Sequence, residues 1–251
     1  MIGFNLNKAK RHFTSVLAEH FPQREAEQLM RILLEGEPVQ YVTGKAYFDG
    51  LLFHVDESVL IPRPETEELV QKVAEGLPSD QSLRIWDIGT GSGCIAIALA
   101  KRFPMAEVKA FEVSESAMMT ACANAEFNEV KIDFILDDVL HPQSEVWQEP
   151  VDLVVSNPPY IRESERSSME RNVLDHEPHA ALFVPDDDPL LFYRQILTLA
   201  KPQLTALGSI WFEINETLGE EMVRLGQNMG FNGVVLEDYH GKQRFVSLRK
   251  A

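Results

Sequence analysis

The feature that most constrains the fold is Asp87-Ile88-Gly89-Thr90-Gly91-Ser92-Gly93, which follows an apolar run, Leu83 to Asp87, and opens a helical stretch, Cys94 to Arg102. A strand that turns through glycines into a helix marks the place where an open α/β sheet takes its ligand, since backbone without side chains can approach the ligand closely. The rest of the chain keeps the same rhythm: Glu107 to Glu112, Lys131 to Leu136, Val151 to Ser156 and Ser209 to Ile214 are strand-like runs between helical stretches. That alternation predicts βαβ units and a parallel sheet covered on both faces. Gly233 to Asp238 and Arg244 to Leu248 are joined only by Tyr239-His240-Gly241-Lys242-Gln243, too short for a crossover, so they must pair antiparallel. The expected architecture is α/β and Rossmann-like, with seven strands, mostly parallel, and an antiparallel last strand.

Ahead of that sheet, residues 8–20 and 23–35 read as two short helices separated by Phe21-Pro22, a small N-terminal helical appendage. Gly36-Glu37-Pro38 breaks the pattern, and Ala46 to Val55, centred on Asp49-Gly50, reads as a β-hairpin. Pro64 stands where a first helical residue should, with Glu65 and Glu67 in the first turn, so a helix is expected from Pro64 to about Glu75. The chain divides on this basis into residues 1–35, a hairpin and linker helix over 36–75, and the sheet domain over 76–251.

Charge and composition narrow the partners. With 23 Lys+Arg against 39 Asp+Glu the formal net charge is −16, a field that repels phosphate backbones, so no bulk nucleic acid is expected and a protein or small-molecule substrate fits better. No apolar run reaches the ~18 residues of a membrane span and Met1 to Lys10 has no signal-peptide character, so no membrane partner and a cytoplasmic location are expected. A monomer is expected. Cys94 and Cys122 lack any CxxC or Cys/His spacing and read as buried free thiols, while His176 and His179, flanking Glu177-Pro178, read as exposed loop histidines; no metal is expected.

The glycines spell GxGxG, and the third glycine that a dinucleotide loop of the GxGxxG type needs is replaced by Cys94. Asp87 at the strand tip would repel a pyrophosphate and suits a cationic amino-acid moiety. Glu112 ends the next strand roughly 20 residues on, where an acid can accept both hydroxyls of a ribose. Asp138, after the third strand in Leu136-Asp137-Asp138-Val139, is placed to accept from an adenine amine. Each acid alone reads as a solvated loop charge; three at the ends of consecutive strands beside one glycine loop read as a site. Val151 to Ser156 then runs into Asn157-Pro158-Pro159-Tyr160, where two prolines fix the backbone and leave the Asn157 side chain and the Pro158 carbonyl as acceptors.

With these segments together the sequence resembles the amino methyltransferases, and within them the release-factor glutamine methyltransferase family. The resemblance runs through Gly36-Glu37-Pro38-Val39-Gln40-Tyr41-Val42-Thr43-Gly44, Ile61-Pro62-Arg63-Pro64-Glu65-Thr66-Glu67, the glycine loop, Asn157-Pro158-Pro159-Tyr160-Ile161 and Glu177-Pro178. It implies S-adenosylmethionine as cofactor, bound by Asp87, Ile88, Gly89, Thr90, Gly91, Glu112, Asp138 and Asn157. It implies a substrate glutamine bound by Asn157, Pro158, Pro159 and Tyr160, with Asn157, Pro158 and Tyr160 catalytic, and the Gly-Gly-Gln loop of a peptide-chain release factor as partner. The segment before Gly36 is shorter than the family's usual helical domain, and Asn215 stands where the family commonly has glycine.

An amide nitrogen is a poor nucleophile because its lone pair is delocalised. If Asn157 Oδ1 and the Pro158 carbonyl each accept one N–H, they fix the amide and aim the nitrogen, while Tyr160 packs on the flat group. The alternative is an amino methyltransferase acting on a nucleic-acid base, adenine or guanine, held flipped in the same segment. A nicotinamide oxidoreductase and a catalytically silent binding module are further rivals, disfavoured by the GxGxG spacing and by intact Asn157 and Tyr160.

Overall fold

A computed structural model describes residues 22–32, 36–75, 77, 80 and 82–251. The helix expected over 8–20 lies outside these residues; of the second, Gln23–Met30 is helical. The hairpin forms from β1 (Lys45–Phe48) and β2 (Leu51–His54) around Asp49-Gly50. The next helix is Pro64–Glu75; besides Glu68, its buried residues are Thr66, Leu69, Val70 and Val73, which recur at i, i+3, i+4 and i+7 as the stripe of an amphipathic helix.

The main sheet holds β3 (Arg84–Ile88), β4 (Glu107–Glu112), β5 (Asp133–Leu136), β6 (Val151–Ser156), β9 (Leu204–Glu213), β10 (Phe231–Glu237) and β11 (Gln243–Lys250), in the order β10-β11-β9-β6-β3-β4-β5. All neighbouring pairs are parallel except those of β11, which lies antiparallel between β9 and β10. Seven strands with an antiparallel last one match the expectation. β7 (Ile161–Arg162) and β8 (Phe183–Val184) form a separate small parallel pair. β9 begins at Leu204, five positions before the sequence suggests: Leu204 pairs with Val151, and the register then shifts before Leu153 meets Ser209.

Strand alternation sends side chains to two cores. Ile85, Leu153 and Val155 face the Pro64–Glu75 and Cys94–Arg102 helices together with Phe48 and Phe53 of the hairpin. Trp86, Val154, Ile210 and Phe212 face Tyr193, Ile196 and Leu197 of the Leu191–Gln203 helix. Burying each such large side chain contributes about 1.5–3 kcal/mol, so the hairpin, through two fully buried phenylalanines, is part of the first core.

Two surface assignments are corrected. Cys94 is buried but Cys122 is exposed: the Glu115–Phe127 helix buries Ala117, Ala121, Asn124 and Ala125, and Cys122 falls beside that stripe. His179 is exposed, whereas His176 ends a short helix, Arg171–His176, and is half-buried.

Candidate active site

The chain reverses its direction of strand addition between β3 and β6, the switch point at which open α/β sheets form their ligand crevice. Asp87 pairs with Val155 across that junction, so the glycine loop after β3 and the Asn157 turn after β6 leave the sheet side by side. Ser156 Oγ donates to the Ile88 carbonyl at 2.6 Å and holds the two strand ends together.

Gly89 and Gly91 sit at φ +74° and +54°, the left-handed region that favours glycine, and a Cβ at either would meet nothing within 4 Å. Their outer face is an open cradle. On the inner side the Gly89 and Thr90 amides both donate to the Phe111 carbonyl, at 2.9 and 3.0 Å. The Gly91 amide donates to Glu112 Oε2 at 2.9 Å, and Glu112 Oε1 accepts from Val113 and Ser114 N–H, each at 3.0 Å.

Asp87 is fully buried. Its Oδ2 accepts from Thr90 Oγ1 at 2.6 Å and from the Ala96 amide in the first turn of the following helix at 3.1 Å. A carboxylate thus takes the helix amide that would serve a phosphate in a dinucleotide loop. Asp87 Oδ1 has no donor among the described residues. Burial pushes the carboxyl up to about 7, against the opposing bonds from Thr90 and Ala96.

Of the paired acids after β5, Asp137 is the structural one: its carboxylate accepts from Ser144 N–H, Gln143 N–H and Trp147 Nε1, and these bonds hold it below the ordinary carboxylate range despite partial burial. Asp138 accepts from the Leu140 amide at 2.9 Å and lies 2.8 Å from His141 Nδ1.

At the other motif, Asn157 Nδ2 donates to Thr66 Oγ1 at 3.0 Å, and Thr66 Oγ1 donates to Glu213 Oε2 at 2.7 Å. Tyr160 OH donates to Glu213 Oε1 at 3.0 Å, while Tyr193 OH donates to the Glu213 carbonyl, also at 3.0 Å. Burial raises the Glu213 carboxyl above its ordinary range, opposed by the Thr66 and Tyr160 hydrogen bonds and the Arg244 charge. Among the described residues no hydrogen bond is made to Asn157 Oδ1 or to the Pro158 carbonyl.

Sequence reasoning left Thr66, Glu213 and Asn124 without roles. Thr66 is the polar member of an otherwise apolar helix stripe, and Glu213 closes an apolar strand; an acid or hydroxyl on a buried stripe was the available signal. Asn124 Nδ2 donates to the His54 and Ser92 carbonyls, both at 2.9 Å, and its Oδ1 accepts from the His54 amide at 2.7 Å, tying hairpin to glycine loop. Arg63 pairs with the buried Glu177, joining the two family-like stretches, and Asn215 Oδ1 accepts from Thr217 N and Oγ1, closing a turn.

Strand order, glycine loop and Asn-Pro-Pro-Tyr turn define a methyltransferase of the Rossmann-like class. The family model of the methyltransferase small domain matches residues 66–180. The release factor glutamine methyltransferase of Flavobacterium psychrophilum is 47% identical over 226 residues, 88% of this chain and 79% of its own. That of Bacteroides thetaiotaomicron is 44% identical over 229 residues, 91% of this chain and 81% of its own. The fold is shared with a 16S rRNA N2 methyltransferase of T. thermophilus solved with AdoMet and guanosine, at a TM-score of 0.60 and 17% identity, covering 82% of this chain and 50% of that one. The chain belongs to the release factor glutamine methyltransferase family.

Proposed function

We propose that this protein transfers a methyl group from S-adenosylmethionine to the side-chain amide nitrogen of a glutamine in a peptide-chain release factor, with Asn157 Oδ1 and the Pro158 carbonyl accepting the two amide N–H groups. The observation that carries the residue assignment is the Asn157–Thr66 hydrogen bond. It commits the Asn157 NH2 to the protein and leaves its oxygen to receive a donor.

The residues fit the cofactor. The open faces of Gly89 and Gly91, with Ile88 and Thr90 between and beside them, form the cradle. Asp87 Oδ1 is a buried acceptor with no donor among the described residues, which a cationic amino-acid end or a water beside it would complete. Glu112, at the loop's edge, would accept from ribose hydroxyls, Asp138 from the adenine amine, and Asn157 would border the methyl-donor end. When bound, S-adenosylmethionine supplies a methyl group already activated by a sulfonium.

The chain's own residues supply geometry. Accepting both amide protons fixes the rotation of the substrate group and favours the positive charge that develops on nitrogen during transfer. Pro158 and Pro159 hold the turn rigid, and Tyr160, anchored by its hydroxyl on Glu213, gives the flat amide a fixed wall. In this reading residues 76–251 carry the chemistry, 36–75 brace it, and 1–35 contribute to docking the protein substrate. The protein acts as a cytoplasmic monomer, without bulk nucleic acid or a membrane; the net charge of −16 supports the exclusion of nucleic acid and so disfavours a base as the methyl acceptor. Labelled S-adenosylmethionine offered separately with purified release factor, ribosomal protein, DNA and RNA tests this. Label is expected in the release factor alone, and label in RNA or DNA would overturn the substrate assignment.

A further inference from the structure

We propose that Glu213 and Thr66 are positioning residues that determine which end of the Asn157 amide meets the substrate, an inference that rests on the acceptor reading of Asn157. An asparagine side chain has an oxygen and an NH2 of nearly equal size, and a half-turn exchanges them. Shape alone cannot hold the oxygen toward the substrate, so a neighbour of fixed polarity must.

Glu213 supplies that polarity. It is 1% exposed at the end of β9, on the sheet face that carries the Pro64–Glu75 helix, and Thr66, 3% exposed, stands over it. In its ionised form the Glu213 carboxylate only accepts: Oε2 takes the Thr66 proton at 2.7 Å and Oε1 takes the Tyr160 proton at 3.0 Å. Thr66 has one proton, and once it is given to Glu213 the hydroxyl can only accept from Asn157, which it does at 3.0 Å from Nδ2. The direction of donation therefore runs from Asn157 through Thr66 to Glu213, and meets there the donation from Tyr160. One buried carboxylate indexes both side chains that flank the two prolines.

The test is a comparison of turnover and cofactor affinity in five variants of the full chain, one of them double, with a release-factor substrate. Thr66→Val keeps the shape but offers nothing to Asn157 Nδ2; turnover is expected to fall about tenfold or more, up to the roughly hundredfold scale of losing a preorganised polar contact at the reacting centre itself, with cofactor affinity unchanged. Thr66→Ser restores the hydroxyl and is expected to recover most of the rate, which a purely packing role for Thr66 would not predict. Glu213→Gln introduces a donor at position 213, allows the direction of donation to reverse, and is expected to lose turnover while still binding cofactor. Asn157→Ala is the control. Adding Thr66→Val to Asn157→Ala is expected to cost nothing further, because the two act through one contact.

If Asn157→Ala is impaired but both Thr66→Val and Glu213→Gln turn over at the wild-type rate, the positioning role is overturned and the acceptor reading stands. If Asn157→Ala itself is unimpaired, the acceptor reading fails and the inference with it. Additive losses in the double variant also overturn it. Should Thr66→Val not fold, the nearly isosteric Glu213→Gln decides: wild-type turnover there overturns the proposal.

Discussion

The Gly91 amide donates to Glu112 Oε2 at 2.9 Å, so the acid that ends β4 is fastened to the tip of the glycine loop within the chain itself. Glu112 both braces the loop and borders the open cradle beside it. Glu112→Ala should therefore weaken S-adenosylmethionine binding by roughly 1–3 kcal/mol, the cost of a charge-assisted hydrogen bond, and also lower the melting temperature of the ligand-free protein. Calorimetry and thermal unfolding check both; unchanged affinity would remove Glu112 from the site.

Asp87 gives a pH dependence of definite sign. Its carboxyl is raised from 3.8 to about 7, chiefly by burial, so between those values the folded chain holds a proton that the unfolded chain has lost. The contribution of this group to the stability of the ligand-free protein is thus full below about pH 4 and declines as pH rises toward about 7, by at most about 4 kcal/mol. A cationic ligand end favours the charged form, so cofactor affinity should rise with pH and level off above about 7. Asp87→Asn should flatten that profile in calorimetry from pH 5.5 to 8.5, values chosen to lie roughly 1.5 units either side of the shifted value. A profile unchanged by the substitution would show that another group governs it.

Gly91 lies at φ +54° with open space where a Cβ would go. Gly91→Val forces a β-branched residue into the left-handed region and fills the cradle. Loss of detectable cofactor binding by a protein that still unfolds cooperatively is the expected outcome; wild-type affinity would place the cofactor elsewhere.

Asn157→Ala should lower turnover by about two orders of magnitude, with little effect on cofactor affinity. Asn157→Asp keeps an acceptor but removes the donor to Thr66, and its charge would stabilise the sulfonium more before transfer than during it. Cofactor should bind as well or better, and turnover should still fall. A release factor with glutamate replacing the target glutamine lacks the amide N–H groups and should not be methylated; transfer to it would end the amide assignment.

Asn124 is fully buried and satisfies three backbone groups, two on His54 and one on Ser92. Asn124→Ala strands them, at a cost of about 1–3 kcal/mol for each group that water cannot reach. Urea unfolding should show the loss, and cofactor affinity should fall as well, because Ser92 belongs to the glycine loop. A change in stability with unaltered affinity would mean that the hairpin tether does not shape the loop.

The glycine loop, the strands Glu107–Glu112 and Val151–Ser156, and the Pro64–Glu75 helix were legible in the sequence because each is defined by local rules: glycine spacing, an apolar run bounded by turn residues, a proline at the first helical position. The Thr66–Glu213 contact was not, since its partners lie 147 positions apart and only the sheet order brings β9 beneath that helix. Cys122 was misplaced for a related reason. Being helical says little about facing inward, and the buried side of the Glu115–Phe127 helix is set by what it packs on. Asp138 was legible as a loop acid, but not its engagement with Leu140 and His141.

The position of β11 has a consequence for how the protein is made. Gln243–Lys250 is synthesised after every other strand of the sheet, yet it sits inside it, and Phe245 is the residue paired with Glu213. Until β11 leaves the ribosome, β10 has no neighbour and β9 has a bare edge. A chain ending before Gln243 would carry both motifs, but β9 would lack the partner strand that sets Phe245 beside Glu213. The seat of Glu213 is in this sense completed by a strand that synthesis reaches only after both motifs.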